Sequence, residues 1–193
     1  MENLANSDPK LWFAVHVRPH SEKSVAAIAR YNGFEEFLPL YRSRSRWSGR
    51  AKALDLPLFP GCVFCRINPD TRLQLQTLPG VQRIAGDGKR PIPVDDAEMA
   101  ALQATAQSGL PAEPWTSSKT GHRVRLKAGP LIGLEGLLVA VRKSYRLLLS
   151  VTILNRSIAV EIERDWATPV VLPGSRKAPT AFTHSLAERS PYV

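Results

Sequence analysis

Residues Phe37 to Ile67 read FLPLYRSRSRWSGRAKALDLPLFPGCVFCRI. The stretch opens apolar, breaks into five basic residues (Arg42, Arg44, Arg46, Arg50 and Lys52) and closes apolar, with no acid between Phe37 and Leu54. Arg42, Arg44 and Arg46 alternate with Tyr41, Ser43, Ser45 and Trp47. At strand spacing successive side chains point to opposite faces, so three guanidinium groups share one face and Tyr41 and Trp47 the other. Ser48-Gly49-Arg50 supplies a turn, and DLPLFPGCVFCRI reads as a return strand that becomes fully apolar on reaching a core. The stretch is expected to form a long hairpin with a buried base and a basic arm. The plainer alternative is a solvated hairpin whose charges only aid solubility.

Composition narrows the class. The 193 residues allow one large or two small domains, and a 44% hydrophobic fraction suits a globular chain. Lys and Arg outnumber Asp and Glu by 26 to 17, a net charge of +9, with a pI near 10. That balance favours a polyanionic partner, nucleic acid above all. The excess is spread along the chain, which makes the cluster in the hairpin the sharper signal. The two cysteines lie close together, so no disulfide framework is expected and a reducing compartment fits. MENLANSDPK lacks the basic start and apolar run of a signal peptide, and runs such as Leu147-Leu148-Leu149 are too short to span a bilayer. A cytoplasmic monomer with no membrane partner is expected.

Residues 1–10 are polar and expected to be flexible. Leu11 to Val17 is dense in aromatic and β-branched residues, a buried strand closed by Arg18-Pro19. Ser21 is a candidate N-cap, with Glu22 favourable to the helix dipole and Val25, Ile28 and Ala29 marking one helical face up to Gly33. After Ile67 a turn opens a short helix with Leu73 and Gln76 or Thr77 one turn apart. Val81 to Ile84 is a strand and Gly86 to Lys89 a turn. Asp95 caps a further helix, Glu98 completes a variant capping box, and Met99, Leu102 and Ala106 stripe its inner face. The fold class expected for 11–106 is α+β, an antiparallel sheet flanked by helices.

Gln107 to Thr120 is rich in Pro and Ser/Thr without a period and reads as a linker, in which Trp115 has no evident docking place. From Gly121 short strands follow one another with glycines at the turns, which suits a small closed β-barrel over 121–171. Residues 172–193 read as a disordered tail.

VRLKAGPLIGLEGLLVAV, with Gly129, Pro130, Gly133 and Gly136, resembles a KOW motif, whose glycines permit the tight turn of an SH3-like barrel. SVTILNRSIAVEIERDW is similar to the last hairpin of that barrel in the NusG family. Trp12-Phe13-Ala14-Val15, Phe59-Pro60-Gly61-Cys62-Val63-Phe64 and Pro79-Gly80-Val81 are similar to the family's N-terminal domain. The resemblance implies a transcription elongation factor: an N-terminal domain that binds RNA polymerase and favours processive elongation, and a KOW domain that recruits Rho or the ribosome. It implies polymerase docking through Trp12, His16, Phe59, Pro60, Cys62 and Phe64, with Phe59 the best surface candidate beside its Pro-Gly turn. It implies contact with upstream or non-template DNA through Arg18, Arg42, Arg44, Arg46, Arg50 and Lys52, with Trp47 or Tyr41 stacking on a base. The KOW partner loop carries Ile153, Leu154 and Arg156.

The high pI, the charged hairpin, Cys62 and Leu154 at positions often aromatic in the family, and the tail point to an RfaH-like specialised antitermination paralog. A housekeeping member coupling polymerase to Rho or the ribosome is the alternative; a ribosome- or RNA-binding KOW protein is the alternative of another class. Some relatives refold the KOW domain into helices, but the glycines and Pro130 favour the barrel here.

No enzyme is expected. Cys62-Val63-Phe64-Cys65 has C-x-x-C spacing, but in a strand the two sulfurs point to opposite faces, and no second cysteine pair completes a zinc site. The four histidines (His16, His20, His122, His184) are scattered, and neither a P-loop nor a G-x-S-x-G motif occurs. No cofactor and no metal are expected.

Overall fold

The computed structural model describes residues 9–170 apart from 48–49, 118–120 and 142–143. The expectations for residues 1–8, for the Ser48-Gly49 turn and for the tail from 172 lie outside the described residues.

The chain opens with β1 (Leu11–Val17), α1 (Glu22–Tyr31) and β2 (Glu35–Phe37). Next come β3 (Leu40–Trp47), β4 (Arg50–Pro57), β5 (Cys62–Ile67), α2 (Arg72–Gln76), β6 (Val81–Ile84) and α3 (Asp96–Ser108). The rest is strand joined by turns: β7 (Ala112–Trp115), β8 (His122–Leu126), β9 (Glu135–Val141), β10 (Ser144–Val151), β11 (Arg156–Ile162) and β12 (Ala167–Pro169). The fold is mixed helix and sheet, with antiparallel pairing throughout the described ladders.

The first sheet runs β2-β5-β1-β6. Its two central strands are apolar on both faces because both faces are covered. Phe13, Val15 and Val17 of β1 and Val63, Cys65 and Ile67 of β5 meet Val25, Ala26 and Ala29 of α1 and Leu75 of α2. Trp12, Ala14, Cys62 and Phe64 point the other way, into a cluster shared with α3 and the second sheet. A period of two thus sends alternate residues of one strand into separate cores.

The second sheet runs β12-β8-β9-β10-β11-β7. Leu147, Leu149 and Val151 of β10 and Ile158, Val160 and Ile162 of β11 join the shared cluster. Leu148, Ala159 and Val139 form a smaller cluster on the opposite face.

Several local expectations are corrected. The return strand after Arg50 is not continuous: β3 and β4 pair only with each other, and the chain breaks at Leu58–Gly61 before β5 enters the first sheet. Pro57 ends β4 and Pro60 lies within the break, and neither can donate to a ladder. On α2 the buried residue is Leu75, whereas Leu73 is 63% exposed. On α3, Thr105 takes the inward position expected of Ala106, which is exposed; its hydroxyl is satisfied by donating to the Ala101 carbonyl at 2.8 Å. Ser21 precedes α1 without a side-chain capping bond, whereas Asp95 caps α3 by accepting from the Ala97 and Glu98 amides. The aperiodic stretch after α3 contains β7, paired with β11, and Trp115 packs on the second sheet's smaller cluster.

Candidate functional site

The site is built on the face of the first sheet that turns away from α1. In the β1–β5 register Ala14 lies opposite Phe64 and His16 opposite Cys62. Residues opposite one another share a face, so Trp12, Ala14, His16, Cys62 and Phe64 form one surface. The turn before β5 adds Phe59, whose ring meets Phe64 edge-on at 5.5 Å, and Phe37 of β2 flanks the same ring at 6.2 Å.

The turn is pinned from beneath. The Gly61 amide donates to Glu22 Oε1 at 2.7 Å, the Gly61 carbonyl accepts from the Val17 amide at 2.9 Å, and the Leu58 amide donates to the Pro39 carbonyl at 2.9 Å. Glu22 is 6% exposed. Its residue type suggested only helix-dipole stabilisation. Its role in holding the turn depends on Gly61, distant in sequence, and left no local signal.

In this conformation the face is covered. Phe59 is 1% exposed, Trp12 7%, and Cys62 and Phe64 are fully buried. Phe59, expected at the surface, is thus inside. The cover comes from α3 and the second sheet together. After β10 the chain makes a short 3-10 turn, Thr152–Leu154, and Asn155 adopts a left-handed conformation with φ of 49°. Arg156 Nη1 then donates to the Pro60 carbonyl at 2.7 Å. The Thr152 amide donates to the Glu98 carboxylate at 3.1 Å, and the Thr152 hydroxyl donates to the same group. Glu98, expected to complete the cap of its own helix, instead reaches across to this loop. Ile153 and Leu154 are half-buried against the shared cluster. The expected polymerase face and the expected KOW partner loop therefore meet each other.

Electrostatics follow from this burial. His16 is half-buried, and its pKa is lowered by desolvation first and then by the charges of Arg83 and Arg156. Burial pushes the thiols of Cys62 and Cys65 up to about 12. The two sulfurs lie in separate clusters on opposite faces of β5, and thiols held protonated are poor nucleophiles and ligands. Among the described residues no group of three or more His, Cys, Asp or Glu is placed to hold a metal ion. Nor is any described helix long and apolar enough to cross a membrane.

Of the expected DNA-contacting residues, Arg18 is exposed at the end of β1, its amide bonded to the Gly80 carbonyl at 2.9 Å. Arg42 is exposed on β3 and lies opposite Asp55, which tempers its charge. Tyr41 is half-buried against the shared cluster, away from the role of a free stacking ring. The backbones of Arg44, Arg46, Trp47, Arg50 and Lys52 lie on β3 and β4, whereas their side chains lie outside the described residues.

Comparison with known proteins agrees with this architecture. Residues 10–103, which hold the first sheet and most of α3, match the family model described as NusG, transcription termination factor. A curated relative from Campylobacter jejuni, transcription termination/antitermination protein NusG, is 27% identical over 163 residues, covering 78% of this chain and 92% of the relative. The protein of the same name from Helicobacter pylori is 28% identical over 116 residues, covering 58% of this chain and 66% of the relative. The solved structure reporting domain interaction in Thermotoga maritima NusG superposes with a TM-score of 0.54 at 19% identity, covering 84% of this chain and 98% of that one. Fold, matched domain and relatives together define a transcription factor. Residues 10–103 form a NusG-family domain, and the curated relatives that extend beyond it bear the NusG name.

Proposed function

We propose that this chain is a cytoplasmic elongation and antitermination factor, without catalysis of its own, that alternates between a closed and an open state. In the open state Trp12, His16, Phe59, Pro60, Cys62 and Phe64 dock on RNA polymerase. Aromatic anchors grouped at the centre of a face are the usual anatomy of a protein interface. The β3–β4 arm, with Arg42, Arg44, Arg46, Trp47, Arg50 and Lys52, and Arg18 beside it in this reading, contacts DNA already opened by polymerase. The second sheet is a KOW-type barrel whose Ile153, Leu154 and Arg156 loop meets the ribosome or Rho.

The observation that carries this reading is the covered face. Its aromatic residues are buried by a segment held through the Arg156–Pro60 and Glu98–Thr152 contacts, so both proposed surfaces are unavailable together and become available together. Specialised antitermination is the preferred role, because a factor closed at rest acts only where something opens it.

Two experiments test the reading. Core polymerase should be captured weakly by the wild type and strongly by an Arg156→Ala, Glu98→Ala variant. Failure of both to capture polymerase would favour a ribosome- or RNA-binding KOW protein. In a reconstituted Rho-dependent termination assay the factor should reduce termination; increased termination would assign it the housekeeping role.

A further inference from the structure

The strand β7 is an unusual tenant of the second sheet. It has four residues, pairs antiparallel with β11 over Ala112–Trp115, and is the last strand on that side. Pro114, opposite Ile158, can donate nothing to the ladder. Short, proline-interrupted edge strands belong to the least stable parts of a fold.

Its side chains point to two features of the sheet's outer face. Glu113 forms an ion pair with Arg146 Nη1 on β10, reaching across β11. Two residues on, Trp115 packs on Val139, Leu148 and Ala159. This outer cluster is separate from the shared core, on which β7 itself places only Ala112. The guanidinium is also only partly used: among the described residues, Arg146 Nε is buried with no hydrogen-bond partner. A buried donor left unpaired is destabilising. A carboxylate approaching the Nε–Nη2 edge would pair with both of those donors in the bidentate geometry that guanidinium favours.

From these observations we infer that the β11 edge, with Arg146 and the Val139–Leu148–Ala159 patch, accepts an extended segment of another protein that carries an acidic residue two positions before a large apolar one. The chain's own Ala112–Trp115 is the placeholder for that segment. An exposed strand edge offers backbone donors and acceptors to an incoming strand, and alternate side chains supply the selectivity. Here selectivity comes from one carboxylate and one aromatic on the same face. The site stands apart from polymerase docking, since no residue of the first sheet contributes to it, and the inference survives failure of that reading.

The test uses the full chain and a labelled peptide of residues 110–117, LPAEPWTS. An occupied site lowers apparent affinity by the fraction of molecules that are open. Trp115→Ala should therefore bind the peptide about tenfold more tightly than the wild type, and a peptide with Lys in place of the glutamate should bind neither protein. Equal affinity of wild type and variant, or indifference to the Lys exchange, would overturn the inference. Hydrogen exchange on the wild type gives a reading independent of the variant's folding. The Glu161 amide, bonded to the Pro111 carbonyl at 2.9 Å, should exchange faster than the amides of the β10–β11 ladder. Equal protection would mean a permanent strap and would also overturn it. So would a wild-type dimer lost in Trp115→Ala, which would assign the edge to a second copy's strap.

Discussion

Arg156, at the start of β11, donates a 2.7 Å hydrogen bond to the backbone carbonyl of Pro60, in the turn that leads into β5. The donor belongs to the loop proposed to meet the ribosome or Rho, and the acceptor to the face proposed to meet polymerase. Because the acceptor is a backbone carbonyl, no substitution at Pro60 removes it cleanly. The contact is best probed from the arginine side and through the second polar contact, Glu98 with Thr152.

Arg156→Ala and Glu98→Ala should each shift the closed–open balance by about 1 kcal/mol, roughly fivefold. The two partners share one loop, so the effects need not add. Thiol labelling reads the shift directly. Cys62 lies beneath the second sheet's cover and Cys65 beneath α1, so Cys62 should label faster in each variant while Cys65 stays at the wild-type rate. Equal acceleration of both would indicate general unfolding.

Phe59→Ala tests the proposed anchor. Its ring fills a closed site against Phe64, and truncation of a buried Phe costs about 3–5 kcal/mol. The melting temperature should fall, and polymerase capture should be lost even when Arg156→Ala is added to favour the open state. Retained capture would remove Phe59 from the interface.

Acid should loosen the closed state. The folded pKa of His16 lies below the ordinary histidine value of 6.5, so well above that pH the imidazole is neutral in folded and unfolded chains alike. As pH falls below 6.5, the unfolded chain takes up a proton that the folded chain resists, and stability declines until the folded pKa is passed. Opening also removes the repulsion of Arg156. Cys62 labelling, taken relative to that of Cys65 to remove the common loss of thiolate, should therefore rise between about pH 6.5 and pH 5, above the ordinary carboxylate range. His16→Gln should flatten that rise.

Much of this architecture is legible locally, because the deciding chemistry is local. The apolar run Leu11–Val17, the Asp95 cap and the opposite facing of Cys62 and Cys65 each follow from residue type and a short period. What escapes is whatever depends on a partner far along the chain. Glu98 looks like a capping-box residue until Thr152 is beside it, Glu22 looks like a dipole residue until Gly61 is, and Trp115 has no evident place without the outer face of β10 and β11. The aromatics of the covered face were ambiguous for the same reason. Residues suited to docking and residues suited to a core are the same residues, and only the moving cover distinguishes the two.

Binding to single-stranded DNA tests the arm. Five cations engaged on phosphates give a log–log salt slope of roughly −3.5, at about −0.7 each. Asp55 opposite Arg42 should flatten that slope slightly, and Asp55→Asn should restore it. Affinity that stays level from low to high salt would remove the arm from the DNA-binding surface.

Two glycines in the turn between β8 and β9 separate backbone strain from crowding. Gly129 and Gly133 have φ of 81° and 89°, so alanine is strained at either. A Cβ at Gly133 meets nothing within 4 Å, whereas one at Gly129 would stand 2.5 Å from the Trp166 ring. Gly133→Ala should cost about 1 kcal/mol. Gly129→Ala should cost about 1–3 kcal/mol more, because the ring must move. Equal melting temperatures would mean that Trp166 yields freely.

The placement of β7 also sets how far the second sheet can travel once its latch is released. With the strap seated, free chain runs only from Gly109 to Pro111, and three residues span at most about 10 Å. A sheet opened on so short a leash stays at high local concentration over the face it has left and recloses readily. With the strap displaced, free chain runs from Gly109 to Gly121, a reach of roughly 40 Å. A protein that captured the β11 edge would thereby lengthen the leash and slow reclosure at a face it never touches.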